Sequence, residues 1–285
     1  YASKDSDVKS SYQGSDRAST TTGALSYAKE ISKGNFKNRL EVKGEGEIAQ
    51  LSESMNYMCA ELEHLDERRR KFVSDASHEL RTPISVIQGY ANLINRWGKS
   101  DPDILQESID SILMETDHMS ALIRQLLFLA KSDQNKLSLQ KVQLSLNEAA
   151  QELVREMELM DMHAEITYLE DDQAEVFADY DLVKQLLWIH GENALKYSGE
   201  NGKIQIRVWK DEKYGYVSVE DNGAGIAEED IPKVFDRFYR ADKSRNKEIA
   251  GTGLGLAIAK WIMDSHDGEI LVKSRVGEGT AFINR

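Results

Sequence analysis

Ser77-His78-Glu79-Leu80-Arg81-Thr82-Pro83 lies inside a run whose apolar residues fall at alternating spacings of four and three. The beat passes through Phe72, Ala76, Leu80, Pro83, Ile87, Tyr90, Ile94 and Trp97, and upstream through Leu51, Met55, Met58, Leu62 and Leu65. That spacing marks the seam of a coiled coil or helical bundle. Arg69 interrupts it once, and Pro83 predicts a kink. At ~100° per residue, His78 lies about 200° from both Ala76 and Leu80, which places it on the solvent face. An exposed imidazole with a bare ring nitrogen is a nucleophile at neutral pH. The Glu79 carboxylate beside it can accept from one ring nitrogen, leave the other bare and stabilise the cation formed on attack. Taken alone, an exposed His-Glu pair on a helix is most often an ordinary surface feature.

Toward the C-terminus, Gly98 to Pro102 reads as a turn, with Asp101 placed to cap the next helix. That second helix repeats the rhythm at Leu105, Ile109, Ile112, Thr116, Met119, Ile123, Leu126 and Ala130. Two helices with one apolar stripe each bury those stripes poorly alone, whereas a dimeric four-helix bundle buries them well. Toward the N-terminus, residues 1–22 are rich in Ser, Thr, Asp and Lys and read as a linker or disordered lead. A helical pattern from Ala24 to Ile31 ends near Gly34. A polar connector from Asn35 to Glu47, with Gly44 and Gly46 as turn residues, leads into the long helix.

From about residue 134 the texture changes. Strand-like runs at Glu175–Ala178, Ile204–Trp209, Tyr216–Glu220, Glu269–Lys273 and Thr280–Ile283 alternate with helical runs at Leu146–Met160, Leu182–Tyr197 and Leu254–Ser265. The expected fold is therefore a mainly α N-terminal bundle or coiled coil followed by an α/β sandwich. In Glu192-Asn193-Ala194-Leu195-Lys196-Tyr197-Ser198, the residues Asn193, Lys196 and Tyr197 share one helix face. The Asn193 carbonyl is a hard oxygen ligand suited to Mg²⁺, and Lys196 can meet phosphate oxygens. Asp221-Asn222-Gly223-Ala224-Gly225-Ile226 follows a strand directly. A carboxylate there, with Gly223 and Gly225 permitting close backbone approach, can read an exocyclic amine such as adenine's. The competing reading is a plain glycine turn. Gly251-Thr252-Gly253-Leu254-Gly255-Leu256 opens a helix, where free N–H groups attract phosphate. It is neither a dinucleotide fingerprint nor a Walker loop, since Leu256 stands where the third glycine would and no Gly-Lys-Ser/Thr comes after it. Between these lies Val234-Phe235-Asp236-Arg237-Phe238-Tyr239-Arg240, continued by the basic Lys243 and Arg245, which suits a cover over a polyphosphate.

The 285 residues allow about two domains or one domain with helical segments, and 30% charged residues suit solvated helices. A net charge of −13 argues against a broad basic face for nucleic acid. The single cysteine, Cys59, excludes a disulfide within the chain. No run approaches the ~18 apolar residues of a membrane span; Leu122–Ala130 is short and interrupted by Arg124 and Gln125.

Each motif is weak alone, but the ordered set resembles the sensor histidine kinases of two-component systems. Ser77 to Pro83 is similar to their phosphoacceptor motif and Glu192 to Ser198 to their asparagine box. Asp221 to Gly225, Phe235 to Phe238 and Gly251 to Gly255 are similar to their first glycine, phenylalanine and second glycine boxes. The resemblance implies a HAMP-like relay module over 23–66, a dimerisation and histidine phosphotransfer domain over 67–133, and an ATP-binding catalytic domain of Bergerat (GHKL) fold over 134–285. It implies ATP and Mg²⁺, with Asn193 holding the metal, Lys196 and Arg240 meeting phosphates, Tyr197 lining the nucleotide pocket and Asp221 reading adenine. Gly223, Gly225, Gly251, Gly253 and Gly255 would line the same site. His78 would be phosphorylated and would pass the group to an aspartate of a response regulator. Thr82, one turn after His78, would support the reverse, phosphatase reaction. The resemblance further implies a homodimer on the cytoplasmic face, with an upstream sensor and membrane span outside this chain and no receiver domain fused after the last strand. One departure stands out: Ile189, His190 and Gly191 occupy positions where the family often has a second asparagine and then leucines. Two rivals are an ATPase of the chaperone or topoisomerase type, which would need no phosphoacceptor, and a scaffold with a degraded nucleotide site, which would not need Asn193, Asp221 and the glycine turns intact.

Overall fold

The computed structural model describes residues 26–41, 46–98, 101–134, 137–160, 163–199, 202–241 and 251–285. The expected lead over 1–22, the connector glycine Gly44, and the basic residues Lys243 and Arg245 lie outside these. The chain divides into two units, residues 1–77 and 78–285.

In the first unit, a helix over residues 26–32 (α1) closes at Gly34, whose φ of 83° suits glycine at a helix end. Residues 35–41 are fastened to α2 (Glu47–Trp97) by side chains. The Asn56 amide accepts from Leu40 N–H at 2.8 Å and donates to the Leu40 carbonyl at 2.9 Å. Tyr27 donates its hydroxyl to the Asn38 carbonyl at 3.0 Å. Cys59 is fully buried, with its thiol directed at the Phe36 carbonyl, and Arg39 pairs with Glu63 at 2.6 Å. The long helix passes without a break through Pro83 and through the boundary expected between residues 66 and 67.

In the second unit, the end of α2 leads to α3 (Pro102–Asp133). As expected, Asp101 caps it, accepting from the Asp103 and Ile104 N–H groups. Burial on α3 departs from the expected seam. The buried residues are Ser108, Leu122, Leu129 and Ser132, while the seam residues Ile109 and Ile123 stay exposed, together with Leu113, Met114 and Leu127.

The α/β part has one five-stranded sheet in the order β2-β4-β5-β7-β6, comprising β2 (Glu165–Glu170), β4 (Lys203–Lys210), β5 (Gly215–Asp221), β6 (Ile270–Arg275) and β7 (Gly279–Asn284). β2 runs parallel to β4, and every other pairing in that sheet is antiparallel. A separate antiparallel pair joins β1 (Lys141–Ser145) to β3 (Glu175–Asp179). Helices α4 (Leu146–Met160), α5 (Tyr180–Tyr197) and α6 (Gly255–Ser265) complete the domain. Alternation along β4 turns Ile204, Ile206 and Val208 into a core with Val217, Val219, Leu153, Met157 and Leu187. The expected strands and helices are all present; β1 and β2 are additional. β2 carries only Ile166 and Tyr168 toward the core, with Leu169 turned outward. Asp179 ties three elements together: it caps α5 through Leu182 N–H, accepts from Gln140 N–H, and gives its own N–H to His266 Nε2 after α6.

Candidate functional site

His78, Glu79 and Thr82 are all exposed on α2, as the helical phase requires. His78 and Thr82 share a shallow concavity with Arg81, Ser85 and Val86, one helical turn separating the imidazole from the hydroxyl. No hydrogen bond joins His78 to Glu79; neighbours in sequence on a helix do not face each other.

The second group of predicted residues gathers around the C-terminal half of α5. Asn193 is half-buried on that helix and makes no hydrogen bond to another described residue, so its amide oxygen is available to a ligand. Lys196, expected to meet phosphate, donates instead to Glu192 one turn back, at 2.6 Å. Tyr197 ends the helix, and its carbonyl accepts from Ala224 N–H at 3.2 Å, which seats the turn after β5 against α5.

Asp221, at the end of β5, is only 8% exposed. Its carboxylate accepts from Gly223 N–H at 2.8 Å, yet burial pushes its pKa up to about 6; backbone hydrogen bonds from Gly223 and Thr280 oppose the rise. A buried carboxylate held by only two backbone donors can accept a further hydrogen bond.

The glycines of this turn have a reason of their own. A Cβ on Gly223 would overlap the Tyr197 carbonyl, and one on Gly225, at φ 70°, would overlap the Arg275 carbonyl. Both therefore answer crowding by the protein's own backbone. In the second glycine turn, Gly253 has φ 68° and lies against Phe238, itself at φ 61°, whose N–H donates to the Gly253 carbonyl at 2.8 Å. Gly255 packs on the Ile189 side chain. Gly251 differs: a Cβ there would meet open space, so nothing in the fold demands a glycine. The N-terminus of α6 has no side-chain cap on its first turn, apart from Leu254 N–H, which reaches the Thr252 hydroxyl. Free N–H groups at such an end attract anions. Arg240 is exposed just beyond Tyr239, whose hydroxyl donates to Asp230 at 2.6 Å.

His190, one of the departures on α5, is fully buried and stacked on Phe282 at 4.7 Å, with Nε2 3.1 Å from Asn284 Oδ1. Since the Asn284 amide nitrogen donates to the Val217 carbonyl, its oxygen accepts, so Nε2 carries the imidazole proton and Nδ1 is bare. Burial pushes the imidazole down to about 4.

Three contacts escaped motif reading. Thr252 donates to Gln125 Oε1 of α3 at 2.7 Å, Arg237 grips Asp133 with two hydrogen bonds of 2.6 and 2.9 Å, and Phe128 meets the Trp261 ring edge-on at 5.1 Å. Pairs separated by more than 100 residues leave no periodic trace in a sequence.

Comparison with known families accounts for the order of these features. Residues 25–64 match the HAMP domain, 68–135 the His Kinase A (phospho-acceptor) domain, and 178–285 the histidine kinase-, DNA gyrase B-, and HSP90-like ATPases. The chain belongs to the histidine kinase family. Sensor histidine kinase YkoH of Bacillus subtilis is 40% identical over 242 residues, covering 85% of this histidine kinase and 53% of YkoH. Signal transduction histidine-protein kinase ArlS of Staphylococcus aureus is 37% identical over 257 residues, 89% of this chain and 56% of ArlS. The chain thus spans about half the length of the curated relatives it matches. Among solved structures, histidine kinase ThkA in complex with response regulator protein TrrA superposes with a TM-score of 0.60 at 27% identity, over 79% of this kinase and 65% of that chain. Histidine kinase AdeS of Acinetobacter baumannii shares the fold at a TM-score of 0.57 and 24% identity, over 73% and 95% of the two chains. No helix among the described residues is long and apolar enough to cross a membrane.

Proposed function

We propose that this chain is the catalytic and phosphotransfer portion of an ATP-dependent protein-histidine kinase. The observation that carries the reading is one chain holding an exposed His78 on α2 together with a buried carboxylate and an uncapped helix N-terminus, each packed against α5. Asp221 accepts from the adenine amine, Tyr197 flanks the base, and the first N–H groups of α6, with Gly251 leaving room, receive phosphate oxygens. Lys196 and Arg240 lie beside these as cationic partners. Asn193 offers the amide oxygen that Mg²⁺ takes alongside phosphate and water ligands. When bound, the metal offsets charge on the phosphate oxygens.

The bare nitrogen of His78 attacks the γ-phosphorus. The N–P bond forms as the bond to the ADP oxygen breaks, and the imidazole sheds its remaining proton to solvent. An aspartate of a response regulator then takes the phosphoryl group. Such a partner is supported by the complex of ThkA with response regulator protein TrrA. Thr82, stacked one turn from His78, can hold a water in line with the resulting acyl phosphate. The exposed apolar stripe of α3 supports a homodimer, and the HAMP match supports membrane anchoring through a segment outside this chain, with this portion on the cytoplasmic face.

The test is labelling from ATP. His78→Gln is expected to abolish acid-labile, base-stable phosphorylation while nucleotide binding persists; equal labelling of the variant would sink the assignment. In the same assays, Thr82→Ala is expected to slow dephosphorylation of the regulator about tenfold, ~1.4 kcal/mol in barrier, with a much smaller loss of His78 labelling. If both rates fall together, Thr82 is structural only.

A further inference from the structure

The glycine turn that opens α6 is loose by composition: Gly251 and Gly253 flank Thr252, and each glycine widens the conformations the turn must give up. Its only fastening from outside the α/β part, among the described residues, comes from α3. Leu254 N–H donates to the Thr252 hydroxyl at 3.3 Å, and that hydroxyl donates in turn to Gln125 Oε1 at 2.7 Å. A hydroxyl has one hydrogen, so the Gln125 acceptor fixes the Thr252 rotamer and leaves its lone pairs for Leu254. Eight residues further along α3, Asp133 holds Arg237 in a two-pronged ion pair. Arg237 immediately precedes Phe238, whose N–H closes on the Gly253 carbonyl. One bundle helix thus braces both sides of the clamp that presents the N-terminus of α6.

We propose that Gln125 and Asp133 are positioning residues for nucleotide binding: α3 pre-orders the second glycine turn, so the placement of the bundle helix sets the affinity of the α/β part for nucleotide. A turn ordered in advance loses less freedom when ligand arrives, which is affinity gained without touching the ligand. By linkage, bound nucleotide tightens the hold of α3 on the α/β part by the same factor. This rests on the nucleotide reading given above.

The test is calorimetric titration of the full chain with MgADP. Gln125→Ala is expected to weaken binding about fivefold, the worth of one neutral hydrogen bond. In a Thr252→Val background, already weakened, Gln125→Ala is expected to add nothing, because both changes remove the same bond. Asp133→Arg is expected to weaken binding, and Asp133→Arg combined with Arg237→Asp to recover it through the reversed pair, a rescue that loss of folding would not give. Unaltered affinity in Gln125→Ala, or losses that add in the double variant, overturns the proposal for Gln125. A charge swap that fails to recover binding overturns it for Asp133. A wild-type chain that takes up no MgADP overturns the nucleotide reading instead.

Discussion

On β4 of the α/β part, Ile204, Ile206 and Val208 are all buried, packed with residues of α4 and α5; on α3 the stripe residues Ile109, Leu113, Ile123 and Leu127 stand in solvent. The two regions carry comparable apolar patterning, so the difference lies in what covers it. A sheet with helices on one face closes its core within one chain. A helix pair exposes a second stripe, and a contiguous exposed stripe calls for a partner surface. The α/β fold thus closes its core within one chain, whereas the described residues of one chain leave the α3 stripe uncovered.

The sharpest way to break this contrast is to charge the stripe. Ile109→Lys with Ile123→Lys would bury unpaired charges in a dimer seam, at a cost of several kcal/mol. The double variant is expected to sediment as a monomer at micromolar concentration while the α/β part melts as before. A wild-type chain already monomeric there would remove the basis for the comparison.

Within the α/β part, two glycines sharpen it further. Gly225→Ala forces a side chain into a left-handed position against the Arg275 carbonyl and is expected to lower the melting temperature by several degrees. Gly251→Ala meets open space and is expected to leave melting unchanged while weakening nucleotide binding about tenfold, ~1.4 kcal/mol. Equal destabilisation by both would mean that the second turn serves the fold as the first does.

A further expected effect is a pH dependence confined to the α/β core. His190 is held neutral down to about pH 4, whereas in the unfolded chain it takes up a proton near its ordinary pKa of 6.5. Between these values the unfolded state binds more protons, so stability falls as pH falls through 6.5 toward 4, by at most ~3 kcal/mol. Asp221 works the other way: raised to about 6, it holds a proton when folded that the unfolded chain has released, so it gains stability as pH falls from 6 toward 4. Replacing His190 by leucine strands the Asn284 oxygen and is expected to destabilise at pH 7, yet to flatten the acid limb of melting temperature against pH. Parallel curves for wild type and His190→Leu would show that the imidazole titrates alike in both states.

Much of the molecule was legible before its structure. Helix phase put His78 on the surface, and alternation found five of the seven strands. β1 and β2 leave little signal because they are five and six residues long and their few apolar residues alternate with the polar Gln143 and Thr167. Gly223 and Gly225 show what a glycine signals: something comes close, here the chain's own carbonyls, and the sequence does not say which neighbour it is. Lys196 pairs with Glu192 at a four-residue spacing that the sequence itself shows. Gln125 and Asp133 had no local signal at all, since their partners lie more than 100 residues away.

Cys59 gives the first unit a clock. It is the only thiol in the chain, fully buried, and turned toward the Phe36 carbonyl beneath the connector. An alkylating reagent reaches the sulfur only when the connector lifts from α2, so in the limit of fast reclosing the labelling rate is the opening equilibrium multiplied by the intrinsic rate of a free thiol. That rate times the fastening made by Asn56 and Tyr27 directly, with no engineered probe.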